Sequence, residues 1–412
     1  MQSLLTLGRQ PALGIAEIEA LYGGTKIRPV GEQAVVVDVD PCLLAFERLG
    51  GAIRFCKVLT TLDTTSWKQI EQFLLSVAPG HATTMPEGKM RLGLSVQGFD
   101  VGIKQLEATG LTLKKAIRKT GRSVRLIPNK EQELSTPQII HNQLTGPTGW
   151  ELVFIKDGNQ TVIAQTVKVQ DIASYTHRDR ERPKRDTKVG MLPPKLAQII
   201  VNLAAGPIAE KTLTSICDVP ADQPIPRTVL GQTVLDPFCG TGVVLQEALL
   251  MGYEAYGTDL EPRMISYSQA NLDWLSAEYG TVVDGIRLEA GDATEHQWPS
   301  PVDIVAGETY LGRPFTSSPE PEILAQTAND CNIIIKKFLR NLHGQLQPGT
   351  RICLAVPAWQ IRPDTFKHLP LIDQLEDLGY ARSNFLHIRD DQLIYYRSDQ
   401  YVARQLLVMT KI

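Results

Sequence analysis

The sequence has 412 residues, of which 43% are hydrophobic and 21% charged, and its formal net charge is −3. A length of this order predicts two or three globular domains. The small net charge excludes a global attraction to nucleic acid, so such binding would depend on local patches. The sequence also lacks any apolar run of the ~18 residues that a membrane span needs. Its six cysteines are scattered, with no CxxC pair to indicate a zinc site or a disulfide framework.

The first 61 residues predict a small α+β domain with a ferredoxin-like order of strand, helix, strand, helix, strand. No residue in this domain suggests catalysis. The N-terminus has no basic segment followed by an apolar core, so we expect no signal peptide. The scattered cysteines predict a reducing, cytoplasmic location. The predicted elements are Ser3–Leu7, Gly14–Tyr22, Ala34–Val39, Pro41–Leu49 and Ile53–Leu59.

Residues 62–170 predict a second domain that contains a one-sided basic helix. The stretch Gly102–Thr120 carries many cations and a single acid, Glu107. Cations four residues apart share one helix face, which is typical of contact with a phosphate backbone; a solvated helix face is the alternative. The candidate RNA-binding residues here are Lys114, Lys115, Arg118, Lys119 and Arg122. The other predicted elements are helices Trp67–Val77 and Pro137–Leu144 and strands Met90–Val96, Trp150–Ile155 and Gln160–Lys168.

Residues 171–190 predict a basic linker. Cations alternate with acids in this segment, and Pro183 disfavours an uninterrupted helix. Charge alone leaves two roles open, a solvated connector or a substrate contact. The candidate RNA-binding residues are Arg178, Arg182, Lys184 and Arg185.

Residues 191–412 are organised around the stretch LDPFCGTG at Leu235–Gly242. It follows a predicted strand, Arg227–Leu235, and precedes a predicted helix, Val243–Met251. A second strand, Tyr253–Asp259, ends on an acid 23 residues after Asp236, close to the roughly 20 that a nucleotide-binding βαβ unit requires. This order predicts the first half of a doubly wound sheet.

The glycine turn differs from the G-x-G-x-x-G turn of dinucleotide-binding proteins. Gly240 and Gly242 allow a sharp turn that brings a ligand close to main-chain N–H groups. An acid at Asp236 would pair with a cationic group, such as the ammonium of a methionine-like moiety, and would repel a pyrophosphate. The turn therefore favours S-adenosylmethionine over NAD, with a glycine turn in another α/β fold as the alternative.

The remaining elements complete a predicted seven-stranded, Rossmann-like sheet. We predict five strands in the doubly wound part, followed by a terminal hairpin. The predicted helices are Met191–Ala204, Glu261–Tyr279, Asp330–Leu342 and Phe366–Leu378, and the strands are Ile286–Ala290, Ile304–Ala306, Arg351–Val356, Leu393–Arg397 and Gln405–Met409.

Three motifs carry a resemblance to a known family. They are DPFCGTG at Asp236–Gly242, RPKRD-x3-GML-PPKLAQ at Arg182–Gln198 and ETYLG at Glu308–Gly312. Together they resemble the THUMP-containing tRNA guanine-N2 methyltransferases, within the class I S-adenosylmethionine-dependent methyltransferases. The resemblance implies a THUMP-like RNA-binding domain at 62–170 and a methyltransferase domain at 191–412. It also implies S-adenosylmethionine as cofactor, tRNA as partner and N2-methylguanosine as product, at position 10.

The resemblance also implies roles for individual residues. Asp259 matches the acid that binds the ribose, with Leu260 beside it, and Asp292 and Ala293 match the turn that contacts adenine. We expect the Cys239 side chain to pack, because no partner cysteine or base accompanies it. The residues that match the cofactor loop are Asp236, Phe238, Cys239, Gly240, Thr241 and Gly242.

The ETYLG motif matches the family's catalytic motif, with Thr309 in place of its proline. We expect Glu308 to accept one hydrogen of the guanine amine, the Thr309 carbonyl to accept another, and Tyr310 to stack on the base. The alternative is a plain strand end with an exposed acid.

Two other functions remain open at this point. One is methylation of an exocyclic amine in ribosomal RNA or DNA, and the other is RNA binding by a chain whose methyltransferase domain has decayed. The resemblance leaves open a small activating subunit, the number of methyl groups added and the oligomeric state, and we assign no metal.

Overall fold

The computed structural model describes residues 2–186, 191–220, 223–281, 286–299, 302–315, 319–397 and 400–412. Gly190 of the RPKRD motif lies outside the described residues. The chain forms two compact units. Unit 1 comprises Met1–Pro11, Thr25–Pro41 and Ala52–Ile172, and unit 2 comprises Ala12–Gly24, Cys42–Gly51 and Ala173–Ile412.

The first part of the chain supplies all the strands of unit 1, while the helix α1 belongs to unit 2. Its elements are β1 Ser3–Leu7, α1 Pro11–Tyr22, β2 Ile27–Val30, β3 Ala34–Val37, β4 Ala52–Leu62, α2 Trp67–Thr84, β5 Met90–Gln97, α3 Ile103–Arg118, β6 Val124–Leu126, α4 Thr136–His141, β7 Gly149–Asp157 and β8 Gln160–Val169.

Unit 1 contains one continuous eight-stranded sheet in the order β2-β3-β1-β4-β8-β7-β5-β6. The sheet runs through both regions predicted as separate domains, because β4 pairs antiparallel with β8. Helices α2 and α3 pack against it through a core that includes Trp67, Leu106 and Phe154. The ferredoxin-like and THUMP-like assignments stay predictions.

In the first 61 residues one prediction was wrong and one strand was missed. The predicted helix Pro41–Leu49 is instead two short 3-10 helices, Pro41–Leu43 and Phe46–Arg48. Strand β2 was not predicted, and Pro29 lies within it. Proline is tolerated there because β2 is the edge strand of the sheet.

The second part of the chain supplies the sheet of unit 2. Its elements are α5 Ile172–Arg180, α6 Pro194–Ala205, α7 Glu210–Cys217, β9 Thr233–Asp236, α8 Val243–Leu250, β10 Glu254–Asp259, α9 Pro262–Tyr279, β11 Arg287–Ala290, β12 Ile304–Glu308, α10 Pro321–His343, β13 Arg351–Arg362, β14 Thr365–Lys367, β15 Tyr380–Arg382, β16 Ile394–Tyr395 and β17 Val402–Lys411.

The sheet of unit 2 confirms the predicted doubly wound architecture. Seven strands follow the order β11-β10-β9-β12-β13-β17-β15, and the short β14 and β16 pair with β13 and β17. Strands β9 to β13 are parallel, whereas β17 is antiparallel to β13. Since parallel strands end at the same edge, the sheet brings Asp236, Asp259 and Glu308 to one edge.

Helices cover the sheet and fix this edge. Phe338 and Leu339 of α10 lie in one apolar cluster with Leu354 and Trp359 of β13. Helix α6 contacts β12, β13 and α8. The edge that carries the acids is therefore built on a packed core, as a positioned site requires.

The C-terminal part differs from its predicted elements. The predicted helix Phe366–Leu378 is the strand β14 followed by 3-10 helices at Pro370–Gln374 and Glu376–Leu378. The predicted strand Arg227–Leu235 begins only at Thr233, after a 3-10 helix at Arg227–Val229. The seventh strand of the sheet, β15, was not predicted.

Candidate active site

The glycine turn between β9 and α8 forms where it was predicted. Gly240 and Gly242 have φ values of +51° and +83°, a region that L side chains rarely adopt. The N–H of Gly242 donates to the Cys239 carbonyl at 2.7 Å and closes the turn. The Cys239 side chain is buried, and the half-buried Phe238 ring packs edge-on against Phe338.

Asp236 is a buried acid at the base of this turn. Its side chain is 2% exposed, and Oδ1 accepts a hydrogen bond from the Phe238 N–H at 3.1 Å. Burial raises the pKa of Asp236 well above its ordinary value, and the nearby carboxylates of Asp259 and Glu308 raise it further. In the described part of the chain, no cationic side chain forms an ion pair with it. A cationic ligand would stabilise the ionised form of this group.

Gly307 allows β12 to approach Asp236. A Cβ atom on Gly307 would lie 2.5 Å from Asp236 Oδ1, closer than any van der Waals contact. A glycine is therefore required beside the acid, and this requirement was not predicted from the sequence.

Asp259 closes the turn from the neighbouring strand. Its two oxygens accept hydrogen bonds from the N–H groups of Gly240 at 2.9 Å and Glu261 at 3.0 Å. Burial raises its pKa, and these two bonds lower it. Leu260 follows with 65% of its surface exposed, which leaves an apolar side chain beside the acid.

The turn after β11 joins the same edge. The Gly291 N–H donates to the Asp259 carbonyl at 2.9 Å. Asp292 Oδ1 accepts a hydrogen bond from the Thr294 N–H at 2.8 Å, and Ala293 is buried. The structure thus brings Asp292 and Ala293 next to the Asp259 strand end.

The ETYLG segment continues from β12. Thr309 donates from both its N–H, at 3.0 Å, and its hydroxyl, at 3.2 Å, to the Ala355 carbonyl of β13. A proline at this position would lose the first bond, because proline has no N–H. Tyr310 is 45% exposed. The segment therefore holds a fixed threonine between a largely buried acid and an exposed aromatic ring.

Glu308 forms an ion pair that the sequence did not indicate. Its Oε1 accepts a hydrogen bond from Arg404 Nε of β17. Burial raises the pKa of Glu308, and the Arg404 charge opposes that effect. Arg404 lies 96 residues further along the chain, so no local motif could have identified it.

One amide side chain joins the basic segment to the glycine turn. The buried Asn271 side chain accepts a hydrogen bond from the Lys184 N–H at 2.9 Å and donates to the carbonyls of Lys184 at 2.9 Å and Thr241 at 2.8 Å. Thr241 itself belongs to the glycine turn. Lys184 is therefore fixed beside the turn while its side chain remains exposed. Asn271 was not predicted.

The other predicted cations of the linker differ in exposure. Arg178 is 6% exposed and binds the buried Glu247 through two hydrogen bonds, at 2.7 and 3.2 Å. Arg182 is also buried, while Arg185 is exposed. Burial removes Arg178 and Arg182 from contact with a phosphate backbone in this structure, so of the four predicted cations only Lys184 and Arg185 remain accessible to RNA.

The predicted basic helix α3 is confirmed in unit 1. Arg122 lies beyond its end, and its guanidinium donates to the carbonyls of Ala82 and Met85, both at 2.9 Å. It therefore caps the C-terminus of α2. The other predicted cations are the half-buried Lys114 and the exposed Lys115, Arg118 and Lys119.

Three further observations bear on ligands. Among the described residues, no group of three or more His, Cys, Asp or Glu side chains is arranged to hold a metal ion. In the same residues, every helix is too short or too polar to cross a bilayer. A groove of about 590 Å³ lies in unit 1, lined in part by Glu32, Glu131 and Glu133. It contains none of the predicted site residues.

The curated proteins that are similar in sequence carry the names of tRNA-modifying enzymes. The chain is 28% identical over 189 residues to the tRNA (guanine(10)-N2)-dimethyltransferase of Methanothermobacter thermautotrophicus, covering 45% of each chain. It is 31% identical over 135 residues to the enzyme of that name from Methanocaldococcus jannaschii, covering 33% of this chain and 31% of the relative. The chain thus spans less than half the length of these curated relatives. No family model matches it.

Solved structures resemble the fold over the whole chain. The crystal structure of TrmN from Thermus thermophilus matches with a TM-score of 0.50 and 17% identity, covering 100% of both chains. A possible methylase from Clostridium difficile 630 matches with a TM-score of 0.50 and 11% identity, covering 98% of this chain and 97% of the other. The fold of unit 2 is that of a class I methyltransferase, as expected.

Proposed function

We propose that this protein is an S-adenosylmethionine-dependent methyltransferase that methylates the exocyclic N2 amine of a guanosine in tRNA. One observation carries the proposal. Asp236, Asp259 and Glu308 converge on a left-handed glycine turn at the carboxyl edge of a class I methyltransferase sheet. This concentration of negative charge suits a cofactor that bears a sulfonium and an ammonium group.

The residues of the edge fit S-adenosylmethionine. Asp236 has no cation of the described chain to neutralise it, and the cofactor's ammonium supplies one. Asp259 keeps free lone pairs on both oxygens for the ribose hydroxyls, since each oxygen accepts a single N–H. The exposed Leu260 offers an apolar surface to the adenine, and Asp292 and Ala293 line the same end.

The residues after β12 would act on the guanine amine. Bound S-adenosylmethionine supplies an electrophilic methyl group. The amine is a poor nucleophile, so the protein contributes mainly position and electrostatic stabilisation. Glu308 would accept one amine hydrogen and the Thr309 carbonyl another, which stabilises positive charge on the nitrogen. Tyr310 would stack on the unpaired base.

The choice of substrate rests on charge and on similarity. The cations Lys115 and Arg118 of α3, with Lys119 directly after it, would give unit 1 a local electrostatic attraction to a phosphate backbone. Lys184 and Arg185 would do the same beside the cofactor loop. The names of the curated relatives favour position 10 of tRNA. In this proposal residues 62–170 form a THUMP-like domain, and the protein acts in the cytoplasm.

Two substitutions test the proposal at separate steps. Replacing Asp259 with alanine should weaken S-adenosylmethionine binding, measured by titration calorimetry. Replacing Glu308 with alanine should abolish methyl transfer to tRNA while cofactor binding persists. Glu254→Ala, at the amino end of β10 far from the carboxyl edge, is the matched control and should change neither quantity.

Other outcomes would replace the proposal. Unchanged turnover in Glu308→Ala would remove the catalytic assignment, and unchanged affinity in Asp259→Ala would remove the ribose role. Transfer to ribosomal RNA or DNA but not tRNA would support the alternative substrates. Cofactor binding without transfer to any nucleic acid would support a decayed methyltransferase that only binds RNA.

A further inference from the structure

The ion pair between Glu308 and Arg404 joins two strands that are not neighbours in sequence. Arg404 lies on β17, where its backbone faces Pro357 of β13 on one side and Tyr395 of β16 on the other. Its backbone is therefore held from both sides. The side chains of Arg404 and Glu308 are only 7% and 15% exposed. Partners this buried hold one geometry, unlike a surface pair.

The remaining surroundings of Glu308 favour its neutral form. Burial raises the pKa of Glu308. The nearby acid on β9, Asp236, is itself buried, and on β13 the facing residue is Ala355. Helix α6, which packs on β12, carries one ionisable side chain, Lys195, and its ammonium lies 5.1 Å from the centre of the Tyr175 ring. Among the described residues, Arg404 is thus the cation that acts on Glu308.

The pair also fixes which oxygen is available. Arg404 Nε donates a hydrogen bond to Glu308 Oε1, and within the described chain Glu308 Oε2 accepts none. A carboxylate held at one oxygen cannot rotate freely, so Oε2 keeps a fixed direction. An acceptor for an amine hydrogen needs this combination of negative charge and fixed direction.

We propose that Arg404 is a positioning residue that keeps Glu308 ionised and aims its free oxygen at the substrate amine. This inference rests on the proposed function, since it assigns Arg404 a task within that reaction. The ionisation part of the inference is independent of turnover and can be measured directly.

The first experiment follows the ionisation of Glu308 in the full chain. Protein with glutamate labelled at the carboxyl carbon is titrated by ¹³C NMR, and the Glu308 signal is identified by its loss in Glu308→Gln. In Arg404→Gln the Glu308 midpoint should move upward by at least about one pH unit. An unchanged midpoint overturns the proposal, whether or not the wild type methylates tRNA.

The second experiment reads the pH profile of methyl transfer. In Arg404→Gln, turnover near pH 7 should fall by about tenfold or more and recover partly near pH 9, because a larger fraction of Glu308 then ionises. A uniform loss at every pH would mean that Arg404 only supports the fold, and would overturn the proposal. Wild-type protein without any turnover would instead overturn the proposed function, while the NMR titration still decides the role of Arg404.

Two further variants keep the test decisive. Arg404→Lys retains the charge and serves if Arg404→Gln does not fold. In Arg404→Lys the titration midpoint of Glu308 should remain near that of the wild type. Turnover should fall, because lysine lacks the planar guanidinium geometry. Full turnover would contradict the proposal that Arg404 directs the free oxygen of Glu308. The matched control is Arg382→Gln. Arg382 lies on β15, and the substitution breaks its partly exposed ion pair with Asp390. It should leave both profiles unchanged.

Discussion

The Arg178–Glu247 ion pair gives the sharpest stability prediction. Glu247 of α8 is fully buried, and both of its oxygens bind the Arg178 guanidinium of α5, at 2.7 and 3.2 Å. Replacing Arg178 with glutamine removes the cation that is hydrogen-bonded to this buried carboxylate and leaves only the weaker effect of the Arg182 charge. Breaking a buried pair in this way costs roughly 3–5 kcal/mol. We expect a loss of that size in the free energy of unfolding, measured by urea denaturation at pH 7.

The pH dependence of this loss identifies its cause. Burial raises the pKa of Glu247, and Arg178 opposes that effect. In Arg178→Gln the pKa should rise further, so the loss of stability is largest above this pKa and shrinks as the pH falls through it and the carboxyl becomes neutral. Arg178→Met combined with Glu247→Leu should recover most of the stability, since a buried pair can be replaced by apolar residues at little cost.

The control is Arg180→Gln, which removes an exposed arginine two residues away. It should change the free energy of unfolding by less than about 0.5 kcal/mol. Under conditions in which Arg178→Gln is folded, its affinity for tRNA should equal that of the wild type. A loss below about 1 kcal/mol at pH 7, or a fall in tRNA affinity without loss of stability, would refute the structural role of this arginine.

Two further predictions concern buried residues of unit 2, Glu17 and Gly307. Burial raises the pKa of Glu17 from its ordinary 4.5 to about 7. Because the pKa is higher in the folded state, the contribution of protonated Glu17 to stability is lost as the pH rises. The free energy of unfolding should fall by roughly 2–3 kcal/mol between pH 5 and 8.5. Glu17→Gln should remove that slope in urea denaturation, and an identical slope in both proteins would contradict the assignment. Gly307→Ala places a methyl group 2.5 Å from Asp236 Oδ1 and should weaken S-adenosylmethionine binding by about tenfold or more. The control is Gly344→Ala, whose Cβ would lie 3.7 Å from the nearest atom and which should leave the affinity unchanged. Equal affinities in the two variants would show that cofactor binding does not depend on the space that Gly307 leaves for Asp236.

Sequence patterns predicted the parts of the site that are local. Asp236, Gly240 and Gly242 lie within one turn, and Asp259 follows one helix and one strand later. Spacing of this kind reflects the period of helices and the length of strands, so it could be recognised without a structure. The same holds for the basic helix α3, in which Lys114 and Arg118 are four residues apart.

Long-range partners could not be predicted. Glu308 and Arg404 are 96 residues apart, and Asn271 bonds a backbone 87 residues away. Charge alone also did not reveal burial, so Arg178 resembled an exposed RNA contact although Glu247 covers it. In the stretch 366–378, apolar spacing mimicked a helix, while Pro370 and tertiary packing favour short 3-10 turns.

Identification of the methylated nucleoside tests the central proposal most directly. The full chain is incubated with radiolabelled S-adenosylmethionine and unmodified tRNA transcripts, and the labelled nucleosides are separated by chromatography after complete digestion. We predict label in N2-methylguanosine or N2,N2-dimethylguanosine, with none from Glu308→Ala. Label in another nucleoside, or no label despite measurable cofactor binding, would contradict the proposed reaction.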